Sequence, residues 1–192
     1  WPSLPKARSS TATHLEKLTG SKSALLPISF LAVGLQKARS VVRIVRSDGS
    51  LGSGFLTSDN LIITNNHVID SKDQARNAKV QFNYELTPNN LAAQFEEFKF
   101  DPDTENGFAT SPANKDDWSA IRLQGNANEK WGFLPLKQAT VEVDDWVNII
   151  QHPGGGPKQI ALYHNVVAYA DAKRVQYLTD TLPGSSGSPV FN

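Results

Sequence analysis

The sequence predicts an all-β chain built as two small barrels, and three observations carry that reading. Short runs rich in β-branched residues recur along the chain, beginning with Val41-Val42-Arg43-Ile44-Val45-Arg46, a composition that suits a pleated, half-buried surface. Clusters of turn-forming residues such as Ser47-Asp48-Gly49-Ser50 separate these runs, since glycine, asparagine and aspartate accept the backbone angles that chain reversals need. Apolar residues at helical spacing are scarce. Together these are the marks of a barrel or sandwich.

Residues 1 to about 24 are polar with early prolines; they read as a linker or extension with a helical turn near His14 to Leu18, and His14 reads as a surface histidine. Ile28 to Ser40 reads as a short helix or an extended arm feeding the first strand. After the run at Val41, further strands are expected at Gly54 to Thr57, Leu61 to Thr64, Lys79 to Tyr84, Phe95 to Phe100 and Ser119 to Leu123. A polar connection, Gln124 to Phe133, then separates a second set at Trp146 to Gln151, Gln159 to Tyr169, Arg174 to Thr179 and Ser188 to Phe191. Residues 1–35 are thus assigned to an extension and 36–192 to one folded unit, with 36–123 as the first barrel and 124–192 as part of the second. No internal repeat is visible.

Composition narrows the function classes. With 19 basic and 19 acidic residues the formal net charge is zero, which gives nucleic acid or an anionic membrane no bulk attraction. No apolar run reaches the roughly 18 residues of a membrane helix. The absence of cysteine removes disulfides and thiol chemistry and fits a reducing compartment, tilting the location towards the cytoplasm while leaving secretion or the periplasm open. The chain has no methionine and starts at Trp1, as a fragment or a processed product would. Glycines 49, 52 and 54 precede a strand, and Gly154-Gly155-Gly156-Pro157-Lys158 lacks phosphate-loop spacing. Asp101, Asp103 and Glu105 do not match a calcium loop and read as a solvated acidic stretch. Nothing requires a metal or an organic cofactor.

The chemistry-bearing stretch is Pro183-Gly184-Ser185-Ser186-Gly187-Ser188-Pro189. Glycines beside Ser186 permit a tight turn that aims successive N–H groups at one point. A hydroxyl becomes a nucleophile when a base takes its proton and donors hold the resulting oxyanion. A base is available in Leu61-Ile62-Ile63-Thr64-Asn65-Asn66-His67-Val68, where His67 ends an apolar strand at a barrel rim. A carboxylate to orient it stands at Asp117, immediately before a strand; Asp116 is its rival, expected to be more exposed, and Asp70 lies too close to His67 in sequence.

Gly52-Ser53-Gly54-Phe55-Leu56, Thr64-Asn65-Asn66-His67-Val68, Asp117-Trp118-Ser119-Ala120-Ile121, Gln151-His152-Pro153-Gly154-Gly155 and Gly184-Ser185-Ser186-Gly187-Ser188-Pro189 occur in that order. In this, residues 41–192 resemble the trypsin-like (chymotrypsin-fold) serine peptidases, and within them the disulfide-free bacterial branch that includes glutamyl endopeptidases. The resemblance implies two six-stranded antiparallel barrels and a serine endopeptidase acting on protein or peptide. It implies that Ser186 attacks, His67 moves the proton, Asp117 orients His67, and the N–H groups of Gly184 and Ser186 form the oxyanion hole.

Three departures matter. Ser185 stands where animal trypsins carry the aspartate that pairs with a freed N-terminus, so activation through that ion pair is not expected. Asp180, six residues before Ser186, falls where trypsins place a carboxylate at the base of the specificity pocket, which implies a preference for Arg or Lys; Thr181 is the alternative determinant, suited to an acidic side chain. Finally, the family fold continues past the nucleophile with a strand pair and a helix, so the second barrel is expected to be incomplete here, with a further segment or chain as a partner that completes it. His152 is expected to bond locally in a turn or to line the second barrel, and His164 to lie in a polar strand. Two other functions share the pattern: a latent or inactive peptide-binding homologue, and a quality-control protease of the HtrA type.

Overall fold

Val42 and Ile44 point one way from the first strand and Val41 the other, and this alternation divides the molecule. In the computed structural model, which describes residues 25–191 except positions 164 and 173, Val42 and Ile44 enter the larger core. Val41 instead joins Leu134 and Ile150 in a second cluster, with Phe55 and Phe191 packed against it. A period-2 strand buried on both faces places each half of the chain on its own side.

The first half is one antiparallel sheet formed from β1 (Val41–Val45), β2 (Leu51–Leu56), β3 (Leu61–Thr64), β4 (Lys79–Phe82), β5 (Glu96–Lys99), β6 (Phe108–Ser111) and β7 (Trp118–Arg122). Its spatial order is β5-β4-β1-β2-β3-β7-β6. The sheet curls back on itself where Phe100 bridges Leu123, the Asp101 N–H donates to Arg122 O and the Gln124 N–H to Lys99 O. Closure of this kind removes exposed strand edges. Inside, Phe82 stacks on Trp131 at 5.2 Å and meets Phe98 edge-on at 5.3 Å.

The second half is smaller. β8 (Asn148–Gln151) is flanked by β9 (Gln159–Ala161) and β12 (Val190–Phe191), and β10 (Val167–Ala170) pairs with β11 (Val175–Tyr177). An open apolar pocket of about 370 Å³ lies between Val141, Val147, Val175 and Val190.

The chain is therefore mostly β-sheet, as expected, with local differences that have physical causes. The first sheet holds seven strands rather than six, because Phe108–Ser111 forms a ribbon against β7. The run at 159–169 is two strands, β9 and β10, belonging to different sheets. The polar connection after Gln124 contains a helix, α3 (Asn128–Trp131). Asn60, at φ 57°, holds it: its amide donates to Leu123 O and Gly125 O while its Oδ1 accepts from the Ala127 N–H. Ile28 to Ser40 takes the helical alternative, α1 (Ser29–Ala38), and a short α2 (Lys72–Arg76) starts at a Ser71 cap.

Phe82 is fully buried between two aromatic rings. Phe82→Ala is expected to lower unfolding stability by about 3–5 kcal/mol, read by denaturant titration at neutral pH. A change below about 1 kcal/mol would show that the core is centred elsewhere.

Candidate active site

His67 stands in the turn that leaves β3. Val68 and Ile69 on its C-terminal side are buried and Thr64 on its N-terminal side is buried, so the chain is fixed on both flanks while the imidazole remains half exposed. The N–H groups of Val68 and Ile69 both donate to Asn65 O, which tightens the turn.

Asp117 faces it across the rim from the start of β7. The His67 N–H donates to Asp117 Oδ1 at 3.0 Å, and the His67 Nδ1 lies 2.7 Å from Asp117 Oδ2. Two-point contact fixes the ring orientation and places the proton on Nδ1, leaving Nε2 as the acceptor. Asp117 adopts φ 50°, a left-handed conformation that needs support in a non-glycine residue. Support comes from Asn65, whose amide donates to Asp117 O at 2.8 Å, and from the Asp117 N–H donating to Pro112 O. Asn66 secures the same loop, donating to Thr110 Oγ1 and accepting from the Ala113 N–H. Beneath them the fully buried Ser119 hydroxyl donates to Ile69 O. Asp116 is exposed and accepts from Ser111 Oγ instead.

Ser186 lies in the tight bend between β11 and β12. The Ser185 N–H donates to Leu182 O, the Ser188 N–H to Ser185 O, and Gly184 and Gly187 take φ 95° and 89°. Among the described residues, the N–H groups of Gly184 and Ser186 have no acceptor. The bend docks on the first sheet through Ser53 of β2, whose N–H donates to Ser186 O and whose Oγ donates to Gly184 O, both at 2.8 Å. A Cβ on Gly187 would fall 2.2 Å from Ser53 O and 2.3 Å from Thr64 Oγ1, so only glycine permits this approach. Ser186 is thereby set beside the end of the strand that carries His67. No hydrogen bond joins His67 and Ser186 among the described residues; such contacts often tighten only when substrate is present.

A cavity of about 330 Å³ opens next to Ser186, between Asn65, Gln151, Tyr177, Thr181 and Ser188. Thr181 reaches it. Asp180 does not: its side chain is exposed, and its carbonyl accepts from the Gln151 amide.

His152 lies under the serine bend, fully buried, with its N–H donating to Ser53 Oγ and its Nδ1 2.9 Å from Gly156 O. Its Nε2 has no partner among the described residues. Burial, reinforced by the nearby Lys158 and Arg43 charges, lowers its pKa to about 4. Lys158 is also buried, and desolvation lowers its pKa against the opposing pull of Glu85, 3.1 Å away. His14 and His164 lie outside the described residues. The roles of Ser53, Asn65 and Asn66 escaped the sequence reading. A polar residue between two glycines in a strand was the one available signal for Ser53.

The sequence pattern that defines the family described as "Trypsin-like peptidase domain" matches residues 52–192. The chain belongs to this family. Among curated proteins the chain is similar to an uncharacterised protein, y4fB, from Sinorhizobium fredii, 37% identical over 187 residues and covering 87% of this chain and 28% of that protein. A glutamyl endopeptidase of Staphylococcus epidermidis is 27% identical over 153 residues, covering 73% of this chain and 50% of the enzyme. The chain thus spans half or less of the length of these relatives. Among solved structures, a Glu endopeptidase superposes with a TM-score of 0.60 at 20% identity, over 81% of this chain and 74% of the other. Deg5 gives 0.55 at 21% identity, over 85% and 79%. At such identities these likenesses show the fold, that of the chymotrypsin-like proteases with two barrels.

The depressed pKa of His152 makes stability depend on pH. Its folded value lies below the unfolded one, so the unfolded chain binds the extra proton first and stability falls as pH drops below about 6.5. Between pH 6.5 and 5 this residue alone is expected to remove about 1.5 kcal/mol. Parallel denaturant titrations of wild-type protein and His152→Gln should show a flatter profile for the variant, and equal slopes would contradict the assignment.

Proposed function

We propose that this chain is a serine endopeptidase that cleaves peptide bonds through Ser186, His67 and Asp117. The observation that carries the reading is the two-point grip of Asp117 on His67, in a chain whose serine bend leaves two N–H groups unbonded next to the nucleophile. Ser186 Oγ attacks the scissile carbonyl carbon as His67 Nε2 takes its proton. Asp117 stabilises the imidazolium that results and keeps the ring in register. The oxyanion is received by the N–H groups of Gly184 and Ser186. Collapse breaks the C–N bond, the amine leaves with the proton from His67, and an acyl ester remains on Ser186. Water, deprotonated by the same nitrogen, hydrolyses the ester and restores the hydroxyl.

For specificity, the cavity beside Ser186 supports a polar side chain before the cut. Buried Gln151 Oε1 and Ser188 Oγ have no partners among the described residues, and Thr181 lies with them. A preference for Arg or Lys would draw on Asp180, which faces solvent; cleavage of a peptide library separates a basic from an acidic preference. A segment or chain that completes the second barrel remains part of this proposal as a partner, alongside the peptide substrate. A second reading is a latent peptide-binding form, compatible with the lack of a hydrogen bond between His67 and Ser186 among the described residues.

A fluorophosphonate probe separates the two. Wild-type protein is expected to label at Ser186, with Ser186→Ala unlabelled and Asp117→Asn at least about 10³-fold slower in kcat/KM on peptides. A wild-type chain that neither labels nor cleaves would overturn the enzyme reading in favour of the latent one.

A further inference from the structure

Ser53 is fully buried, yet it makes four hydrogen bonds, three of them to the elements around the nucleophile. It lies in the first half of β2, where pairing with β1 is intact at Arg43. Pairing with β3 is confined to Phe55 and Leu56, so the other edge of β2 is free at Ser53. The serine bend takes that place. Glycines on either side admit no side chain: a Cβ on Gly52 would fall 2.5 Å from Val68, and one on Gly54 2.9 Å from Ile62.

The hydrogen bonds divide the serine bend into fixed peptide units. A trans peptide sends its N–H and its C=O in opposite directions, so tying a carbonyl also aims the N–H of the same unit. Pro183 O accepts from the Gly154 N–H and Ser185 O from the Ser188 N–H. These two units carry the N–H groups of Gly184 and Ser186. Between them lies the Gly184–Ser185 unit, held at its N–H by Leu182 O and at its carbonyl by Ser53 Oγ. Gly184, at φ 95°, has no side chain to resist a flip of that unit. The Ser53 hydroxyl has one proton to give, and it gives it to Gly184 O while accepting from the His152 N–H at 3.0 Å. Both of its roles are filled.

We infer that Ser53 is a positioning residue for the oxyanion hole: its hydroxyl locks the Gly184–Ser185 peptide so that the N–H groups on either side converge on one point. The inference rests on the serine-peptidase reading for its catalytic consequence, but the peptide orientation is testable without it. Ser53 touches neither substrate nor the reacting atoms. Its effect passes through main-chain donors that act only once charge has developed, so it belongs to the transition state rather than to substrate binding.

The test is Ser53→Ala in the full chain, with Ser53→Cys, which keeps the shape and weakens the donor, used if the alanine variant does not fold. With rates normalised to the fraction of Ser186 that a fluorophosphonate titrates, kcat is expected to fall about 10- to 100-fold with KM within about twofold. Inhibition by a peptide aldehyde, whose adduct carries the oxyanion, should weaken in proportion. A loss confined to the amount of folded protein, with kcat per titrated site unchanged, would show a merely structural role and overturn the inference. In parallel, the ¹⁵N amide resonances of Gly184 and Ser186 should shift in the variant while that of His67 stays in place. Unmoved Gly184 and Ser186 resonances would overturn it independently of any activity. A wild-type chain that is inert while these resonances shift would sink the enzyme reading and leave the positioning claim standing.

Discussion

The edge of β2 that β3 leaves unpaired is the constraint on which the rest of the site depends. An open strand edge inside a folded chain must find partners for its N–H and C=O groups. Here the partner is the serine bend from the other half of the molecule, so a backbone requirement of the first sheet becomes the device that positions Ser186. The bonds involved link residues more than a hundred positions apart: Ser53 Oγ to Gly184 O, and the Ser53 N–H to Ser186 O. Because the bend meets β2 through carbonyls, the N–H groups of Gly184 and Ser186 are not used in that docking. Glycine at 187 allows the approach to Ser53 and Thr64 that makes this docking close.

The opposite side of the cleft is built by a separate logic. His67 and Asp117 flank neighbouring strands, β3 and β7, whose register pairs Thr64 with Ser119. Short-range sheet geometry brings the turn after one to the loop before the other. Side-chain amides of Asn65 and Asn66 and the Ser119 hydroxyl then fix that loop. The seam between the halves adds buried polar groups: His152 neutral at ordinary pH, and Lys158 answered by Glu85 and Ala38 O. Uncharged or locally neutralised groups are what a dry seam tolerates.

How far the sequence could be read follows from which signals are local. Runs of β-branched residues between turn signals revealed most of the strands, and the strand ends placed His67 and Asp117 at a rim. The ribbon at Phe108–Ser111 and the helix at Asn128–Trp131 were not legible, because each is stabilised by distant partners, β7 for the ribbon and the side chain of Asn60 for the helix. Gln159 to Tyr169 looked like one strand because local composition does not report a change of sheet. Asp180 was assigned to the pocket by its offset from Ser186, a signal that carries no information on side-chain exposure. Ser53 shows the same limit from the other side: the Gly-Ser-Gly pattern was plain, but its partners lie in a loop that only folding brings near.

The most direct measurement of this account is a crystal structure of the full chain carrying a peptidyl phosphonate on Ser186, in which the phosphoryl oxygen stands for the oxyanion. The account predicts that oxygen within about 3 Å of both the Gly184 and Ser186 nitrogens, with Ser53 Oγ still bonded to Gly184 O and the imidazole of His67 facing the adduct. A phosphoryl oxygen turned to solvent, with the Gly184–Ser185 peptide flipped away from Ser53, would contradict it.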